Sequence, residues 1–319
     1  MTSAVETHAL RKVYGNLVAV DGLTLDVQRG EVFAFLGPNG SGKTTTIRML
    51  CGIVRPTSGR GRVLGYDLAT QSESIKAQIG YMSQRFALYE DLTVRENLEF
   101  YAGVYQVASQ RRQERVRELI AMAGLTGRDR QLAGQLSGGW KQRLALGCAI
   151  VHQPPLLFLD EPTAGVDPVS RRSFWTLIYG LARDGVTIFL TTHYIDEAEH
   201  ADRVALLLNG ELVALAPPRK LREHGLSGTL MEIEAEPAID ALQQLARLDG
   251  VREATLYGAV IHVLVDAGVS REVLADHLRA AGLHVQGIRP IRPTLEDVFV
   301  SRIRSAGAPV TPRLDGPRR

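Results

Sequence analysis

The segment that most restricts this chain is Gly37-Pro38-Asn39-Gly40-Ser41-Gly42-Lys43-Thr44, which fits G-x-x-x-x-G-K-[ST]. The apolar run Val32 to Leu36 leads into it and predicts a strand, and Thr45 to Leu50 predicts a helix behind it. That context separates a phosphate-binding loop from a glycine-rich turn that happens to precede a lysine. Glycines let such a loop curl until its backbone N–H groups point inward at phosphate oxygens. The following helix turns its positive N-terminus to the same anion. Lys43 would reach the β- and γ-phosphates and the Thr44 hydroxyl would hold Mg2+, with Thr45 counted among the nucleotide-binding residues. The loop points to a nucleoside triphosphate and leaves open how the energy is used.

Composition sets limits. A chain of 319 residues has room for two domains with their own cores. Its net charge of +2 gives no case for general nucleic-acid binding. Cys51 and Cys148 stand in apolar helical segments without ligand spacing, and are expected as buried free thiols in a reducing compartment. Met1 to Val13 is polar and mixed, unlike a secretory signal, and no apolar run is long enough to span a bilayer. Any membrane role is therefore expected to come through a partner. Residues 304–319 are rich in Pro, Gly and Arg and are expected as a disordered tail, with weak attraction to a membrane surface or phosphate as the lesser option.

Periodicity organises the rest. Leu23, Leu25 and Val27 alternate with polar residues between turns at Asp21-Gly22 and Arg29-Gly30, predicting a half-buried strand. From Thr93 the period becomes helical: Thr93 and Glu96 form a capping-box pattern, and Val94, Leu98, Tyr101 and Tyr105 recur on one face. A second helix is expected from about Ser109 to Ala123, and a third from Trp140 to Gln153 before Pro154. A helical block over about 88–153 is thus inserted between strand-bearing segments. Leu156 to Leu159 ends in Asp160, and Thr187 to Leu190 ends in Thr191-Thr192-His193. Both read as buried parallel strands with polar C-terminal ends, the edge where open α/β sheets bind ligands. Val204 to Leu208, Asn209-Gly210 and Glu211 to Leu215 predict a hairpin.

Pro217-Pro218 and the charged stretch to Gly228 read as a connector, with the domain boundary placed at 222/223. Beyond it the order strand, helix, strand, strand, helix, strand over 229–289 is ferredoxin-like, in a domain of 223–303 without a cluster of catalytic or metal-ligating residues.

Two further constellations carry chemistry. Asp160-Glu161 directly follows an apolar strand: the Asp can hold Mg2+, and the Glu, pointing elsewhere, can take a proton from an attacking water. Ser137-Gly138-Gly139 precedes a helix, with Ser137 as a candidate N-cap and the glycine N–H groups open to a second anion.

With these motifs the chain resembles an ATP-binding cassette (ABC) ATPase subunit over about Val5 to Leu215, with the family's elements in the family's order. They are Tyr14, the phosphate loop, Gln84 in Tyr81-Met82-Ser83-Gln84, Leu136-Ser137-Gly138-Gly139, Asp160-Glu161-Pro162, Asp167 and His193. The resemblance implies a phosphate-loop NTPase (RecA-like) α/β core. To this it adds an N-terminal antiparallel β part, the inserted helical subdomain and the small C-terminal α+β domain. It assigns adenine stacking to Tyr14 and the sensing of Mg2+ and attacking water to Gln84. Asp160 becomes the Mg2+-linked carboxylate, Glu161 the catalytic base and His193 the switch histidine at the γ-phosphate. Asp167 would cross to a partner subunit, and Ser137, Gly138 and Gly139 would close on the ATP of the opposite subunit. Trp140 departs from the family's usual Gln, and Ala164-Gly165-Val166-Asp167 from its commoner Ser-Ala-Leu-Asp. The run Glu161 to Pro168 and the extension ending in Thr294-Leu295-Glu296-Asp297-Val298-Phe299 are similar to the ABC-2-type export group, which includes multidrug and antibiotic efflux ATPases.

The family geometry implies two cassettes packed head to tail around two ATPs, driving a separate multispanning permease from the cytoplasmic face of the membrane. The expected permease contact follows Gln84 and includes Arg85, Phe86, Tyr89 and Glu90. The alternative is a soluble ABC ATPase in translation or DNA maintenance. DNA-organising forms carry long heptad arms, the excision-repair form carries Cys-rich zinc modules, and ribosome factors usually join two cassettes. None of these features is present. The C-terminal domain is open between regulation, dimer bracing and ligand sensing, with the first two favoured. The cargo is not readable, because specificity lies in the permease.

Overall fold

The computed structural model describes residues 3–84 and 87–305. It divides into two compact units, one up to Ala216 and one from Pro217.

The first unit opens with a long hairpin, β1 (Ser3–Tyr14) and β2 (Leu17–Gln28), whose alternation buries Val5, Leu10, Val20, Leu23, Leu25 and Val27 on one face. β3 (Val32–Leu36) is buried at every position and runs into the phosphate loop and α1 (Lys43–Leu50). β4 (Ser58–Val63) and β5 (Tyr66–Asp67) complete an antiparallel sheet of order β2-β1-β4-β5. α2 (Ser72–Gln78) and β6 (Ile79–Met82) return the chain to the central sheet.

The helical block follows. α3 (Val94–Val104) starts on the expected capping box, with Thr93 and Glu96 satisfying each other's backbone N–H. α4 (Ser109–Met122) and α5 (Gly138–Ala149) pack with it. α5 starts at Gly138, two residues before the expected Trp140, and stops short of Gln153, which takes a left-handed φ of 57° ahead of Pro154.

The chain then alternates through β7 (Leu156–Asp160), α6 (Pro168–Arg183), β8 (Thr187–Thr192), α7 (Ile195–Ala198), β9 (Arg203–Leu208) and β10 (Glu211–Ala216). The six-stranded sheet has the order β10-β9-β3-β8-β7-β6. All its pairs are parallel except the terminal hairpin β9–β10. Asn209 and Gly210 form that hairpin's turn with φ of 50° and 85°. Phe33, Phe35, Phe158 and Phe189 stack through the middle of the sheet, with ring centroids 5.2 Å apart for Phe33–Phe189 and 5.3 Å for Phe158–Phe189. They are fully buried and contribute about 1.5–3 kcal/mol each to the core beneath the site.

The second unit begins with α8 (Pro218–His224), where a connector was expected. Pro218 sits at N1 of the helix, and Leu221 is buried, so the observed division falls at 216/217 rather than 222/223. β11 (Thr229–Glu236), α9 (Ala238–Leu245), β12 (Val251–Tyr257), β13 (Val260–Val265), α10 (Arg271–Ala280) and β14 (His284–Pro290) follow. The antiparallel sheet order β12-β13-β11-β14 is that of a ferredoxin-like unit. A final helix, α11 (Leu295–Ser305), was not expected. Arg304 and Ser305, placed in the disordered tail, belong to it. The remainder of that tail, and Arg85 and Phe86, lie outside the described residues. Among the described residues no helix is long and apolar enough to cross a membrane.

Candidate nucleotide site

The order β3-β8-β7-β6, all parallel, gathers four chain segments at one sheet edge. The phosphate loop leaves β3, His193 leaves β8, Asp160-Glu161 closes β7, and Gln84 follows β6. Residues remote in sequence meet because each stands at the C-terminal end of a parallel strand.

The loop needs its glycines. A Cβ at Gly37 would lie 2.4 Å from the Leu207 carbonyl oxygen, and one at Gly42, where φ is +100°, 2.3 Å from that of Ala19. α1 starts with no side-chain cap and no acid in its first turn, so its N-terminal N–H groups are open to an anion. Ser41 Oγ is buried without a partner. Lys43 is 4% exposed, and its Nζ donates to the carbonyls of Gly37 at 2.8 Å and Pro38 at 3.0 Å. The same ammonium lies 3.3 Å from Glu161 Oε1. Burial lowers the Lys43 pKa, and the Glu161 carboxylate opposes that shift.

Glu161 is the hub. Its Oε2 accepts from Gln84 Nε2 at 3.1 Å and lies 3.2 Å from His193 Nδ1. Because a carboxylate only accepts, the contact calls for the tautomer with the proton on Nδ1. Glu161 has a left-handed φ of 48°, unusual for a residue with a side chain. Its N–H donates to Thr191 O at 3.1 Å and to Thr191 Oγ1 at 3.0 Å, which holds that turn. Asp160 points the other way: its Oδ1 accepts from Thr44 Oγ1 at 3.0 Å and Thr191 Oγ1 at 2.8 Å. Burial raises its pKa, and the two threonine hydroxyls offset part of the rise. Asp160 and Thr44 thus present hard oxygen donors side by side at the mouth of the loop, the donor chemistry Mg2+ takes.

The structure therefore brings Lys43, Thr44, Gln84, Asp160, Glu161 and His193 together around one carboxylate pair. Tyr14, Ser137 to Gly139 and Asp167 are not among the groups bonded to that pair. Tyr14 ends β1, half exposed, with Lys12 Nζ 4.8 Å from its ring centroid. Ser137 occupies the N-cap position of α5, yet its side chain makes no capping bond. Ser137 and Gly138 are exposed, whereas Gly139 is buried against α6, where an added Cβ would meet Ser170 Oγ at 2.4 Å. Asp167 caps α6, accepting from the N–H groups of Val169 and Ser170. Trp140 turns into the helical block, its ring flanked by Arg128 and Arg143 at 5.3 and 4.8 Å.

Sequence reasoning missed the supporting residues. Gln142, fully buried on α5, donates to the Pro162 carbonyl at 2.7 Å and so ties the helical block to the turn after Glu161. Thr191 positions both acids. The polar pair Thr191-Thr192 at the end of an apolar strand was the available signal for it; Gln142 had none, since it looks like any helical Gln.

Known proteins resemble the chain in sequence and in fold. The ABC transporter family model matches residues 20–164, and the model for the C-terminal domain of DrrA1-3-like ATP-binding proteins matches 217–303. The chain is 35% identical over 318 residues to the daunorubicin resistance ATP-binding protein DrrA3 of Streptomyces coeruleorubidus, covering 93% of this chain and 95% of that one. It is 44% identical over 220 residues to the probable multidrug ABC transporter ATP-binding protein YbhF of Escherichia coli, covering 69% of this chain but spanning only 38% of that relative's length. Among solved structures, a dimeric ATP-binding cassette in a post-hydrolysis state with ADP and Pi superposes with a TM-score of 0.62 at 28% identity, over 67% of this chain and 98% of that one. An ATP-binding subunit of an ABC transporter gives 0.63 at 31% identity, over 70% and 92%. From the phosphate loop to the C-terminal unit, the chain belongs to the ABC family of transporter ATP-binding proteins.

Proposed function

We propose that this chain is the ATP-binding and ATP-hydrolysing subunit of an ABC-2-type exporter, peripheral at the cytoplasmic face of a membrane and paired with a separate permease. The observation that carries the catalytic part is the convergence of Lys43, Gln84 and His193 on Glu161, beside the Asp160–Thr44 pair. In the proposed cycle, Lys43 leaves Glu161 for the β- and γ-phosphates, while Tyr14 stacks on adenine. Glu161, freed of the ammonium, accepts a proton from the water whose oxygen attacks the γ-phosphorus. The bond from that phosphorus to the bridging oxygen breaks, and ADP leaves with the electron pair. Gln84 orients the water, and His193 bonds the γ-phosphate. Mg2+, held by Thr44 and Asp160 with Gln84 nearby, would neutralise phosphate charge.

Ser137, Gly138 and Gly139 of a second cassette would supply N–H donors and a positive helix end to the same γ-phosphate, with Asp167 facing across the interface. Loss of that phosphate removes the shared contacts and opens the pair. The export direction is supported by relatives named for drug resistance and Nod factor export. For the permease contact, support comes from an exposed aromatic group: Tyr89 and Phe100, 45% and 41% exposed, with ring centroids 4.6 Å apart. Glu90 beside them pairs with Lys141 of α5 at 2.7 Å, linking that surface to the helix that begins at Gly138.

Glu161→Gln tests the reading. It should keep ATP binding, lower turnover about 1,000-fold and trap a nucleotide-bound dimer. Turnover at the wild-type rate would remove Glu161 as the base. Lys43→Ala should instead weaken nucleotide binding itself.

A further inference from the structure

Glu197 is 1% exposed, a buried carboxylate on α7 four positions beyond His193. Burying a carboxylate is costly unless it is bonded, and its partners come from two chain segments. Thr192 Oγ1, at the end of β8, donates to Oε2 at 2.7 Å. Thr163 Oγ1, in the loop between Glu161 and Asp167, donates to Oε1. Both threonines are themselves 1% exposed. Thr192 Oγ1 also accepts from the Tyr194 N–H at 2.9 Å, so the backbone on either side of His193 is tied to the same hydroxyl. Arg171 of α6 completes the enclosure, with Nε 3.5 Å from Glu197 Oε1 and its guanidinium 4.1 Å above the Tyr194 ring. Burial raises the Glu197 pKa, and the two threonines and Arg171 oppose the rise.

Among the described residues, the side-chain hydrogen bonds of Glu197, Thr163 and Thr192 run to one another and to Tyr194, and the phosphate loop meets this group through backbone, with the Gly37 N–H donating to the Thr192 carbonyl at 3.3 Å. Each end of the bridge belongs to a segment with a role in turnover. We propose that Glu197 is a positioning residue that locks the Glu161–Asp167 loop to the backbone flanking His193, so that base, interface loop and switch histidine hold one geometry. The proposal rests on the roles assigned above to Glu161 and His193. It separates two quantities: nucleotide binding belongs to the phosphate loop, and the rate of turnover depends on the bridge.

The test uses the full chain, with steady-state ATPase rates, the affinity of a fluorescent ATP analogue, and thermal melts to establish folding. Thr163→Val keeps the volume and removes one donor. It and Glu197→Ala should each lower kcat about ten-fold or more while analogue affinity stays within about two-fold. Thr163→Ser, which restores the hydroxyl, should recover most of the rate. Thr163→Val combined with Glu197→Ala should be no slower than Glu197→Ala alone, because both cut one bridge. Four results would each overturn the proposal: a Thr163→Val rate within about two-fold of wild type, affinity falling in step with kcat, no recovery with Ser, or effects that multiply. If Glu197→Ala does not fold, the Thr163 pair decides. Glu161→Gln, run in parallel, distinguishes the failures. Wild-type turnover there sinks the base assignment, whereas an inactive Glu161→Gln beside a silent Thr163→Val sinks only the bridge.

Discussion

Single residues at the site trade stability for charge, and Asp160 is the clearest case. Its folded-state pKa is raised, chiefly by burial, above the ordinary value of 3.8. A raised carboxylate pKa means that the folded state holds the proton more tightly than the unfolded chain. Its contribution to stability is therefore present below the ordinary pKa and lost as pH rises through the folded one. Asp160→Asn imitates the neutral form and can still accept from Thr44 and Thr191. In nucleotide-free, Mg2+-free buffer at pH 8 it should raise the melting temperature, and the gain should vanish as pH falls to about 4. The same variant should lower Mg2+-dependent ATP turnover about 100-fold. A variant that melts below wild type at pH 8 would contradict the burial argument. The two acids themselves were readable in sequence, because an apolar strand beside a phosphate loop fixes which edge they occupy. Their support by Thr191 was not, since it depends on β8 pairing with β7, a contact between strands 30 residues apart for Glu161 and Thr191.

At the scale of elements, the decisive contact is between the starts of α5 and α6. Gly139 is buried there because Ser170 occupies the space a side chain would take, with Ser170 Cβ itself 2.7 Å from the ideal Cβ position. Ser170 also gives its N–H to Asp167 at 2.9 Å, so the same residue limits α5 and holds the cap of α6. Gly139→Ala should therefore cost about 1–3 kcal/mol as an overpacked contact. Ser170→Gly placed on top of it should recover part of that loss, a coupling that chemical denaturation of the four species measures. Additive effects would mean that the glycine is needed only for its backbone. Asp167→Ala should lower the melting temperature by uncapping α6, and Asp167→Asn, which can still accept from both N–H groups, should retain it. If Asp167→Asn nonetheless slows turnover, capping and the interface role are separate. Ser137 was readable as a candidate cap for α5, whose start was expected at Trp140, but no helix was read behind Asp167; a contact between two starts about 30 residues apart follows from the fold, not from periodicity.

For the whole molecule, the question is where one folding unit ends. The second unit has its own core of Met231, Ile233, Ala241, Leu245, Ile261, Val263, Val265, Leu274 and Leu278. A pattern of alternating strands and two amphipathic helices made that core legible. Its two flanking helices were not, for different reasons. Pro217-Pro218 reads as a break, yet Pro218 is a favoured first residue of a helix, and α8 buries Leu221 and packs on α11. α11 carries its own start signal: Thr294 and Asp297 bond reciprocally through side chain and backbone N–H, a capping arrangement hidden inside Thr294 to Phe299. The two helices close on each other tightly. A Cβ on Gly225, just past α8, would lie 2.6 Å from Val298 Cγ1, and Arg302 donates to the Gly225 carbonyl at 3.2 Å. A fragment of residues 217–319 should therefore unfold in one cooperative transition, whereas a fragment of 223–319 loses Leu221 and most of α8. Burial of that leucine alone predicts a loss of about 2–5 kcal/mol, which urea denaturation of the two fragments resolves. Equal midpoints would return α8 to the status of a linker and move the boundary to 222/223. A chain ended at Ala216 cuts after β10 and leaves every element of the first unit whole. It should bind the ATP analogue as the full chain does, within about two-fold, because each residue proposed to hold the nucleotide precedes that cut.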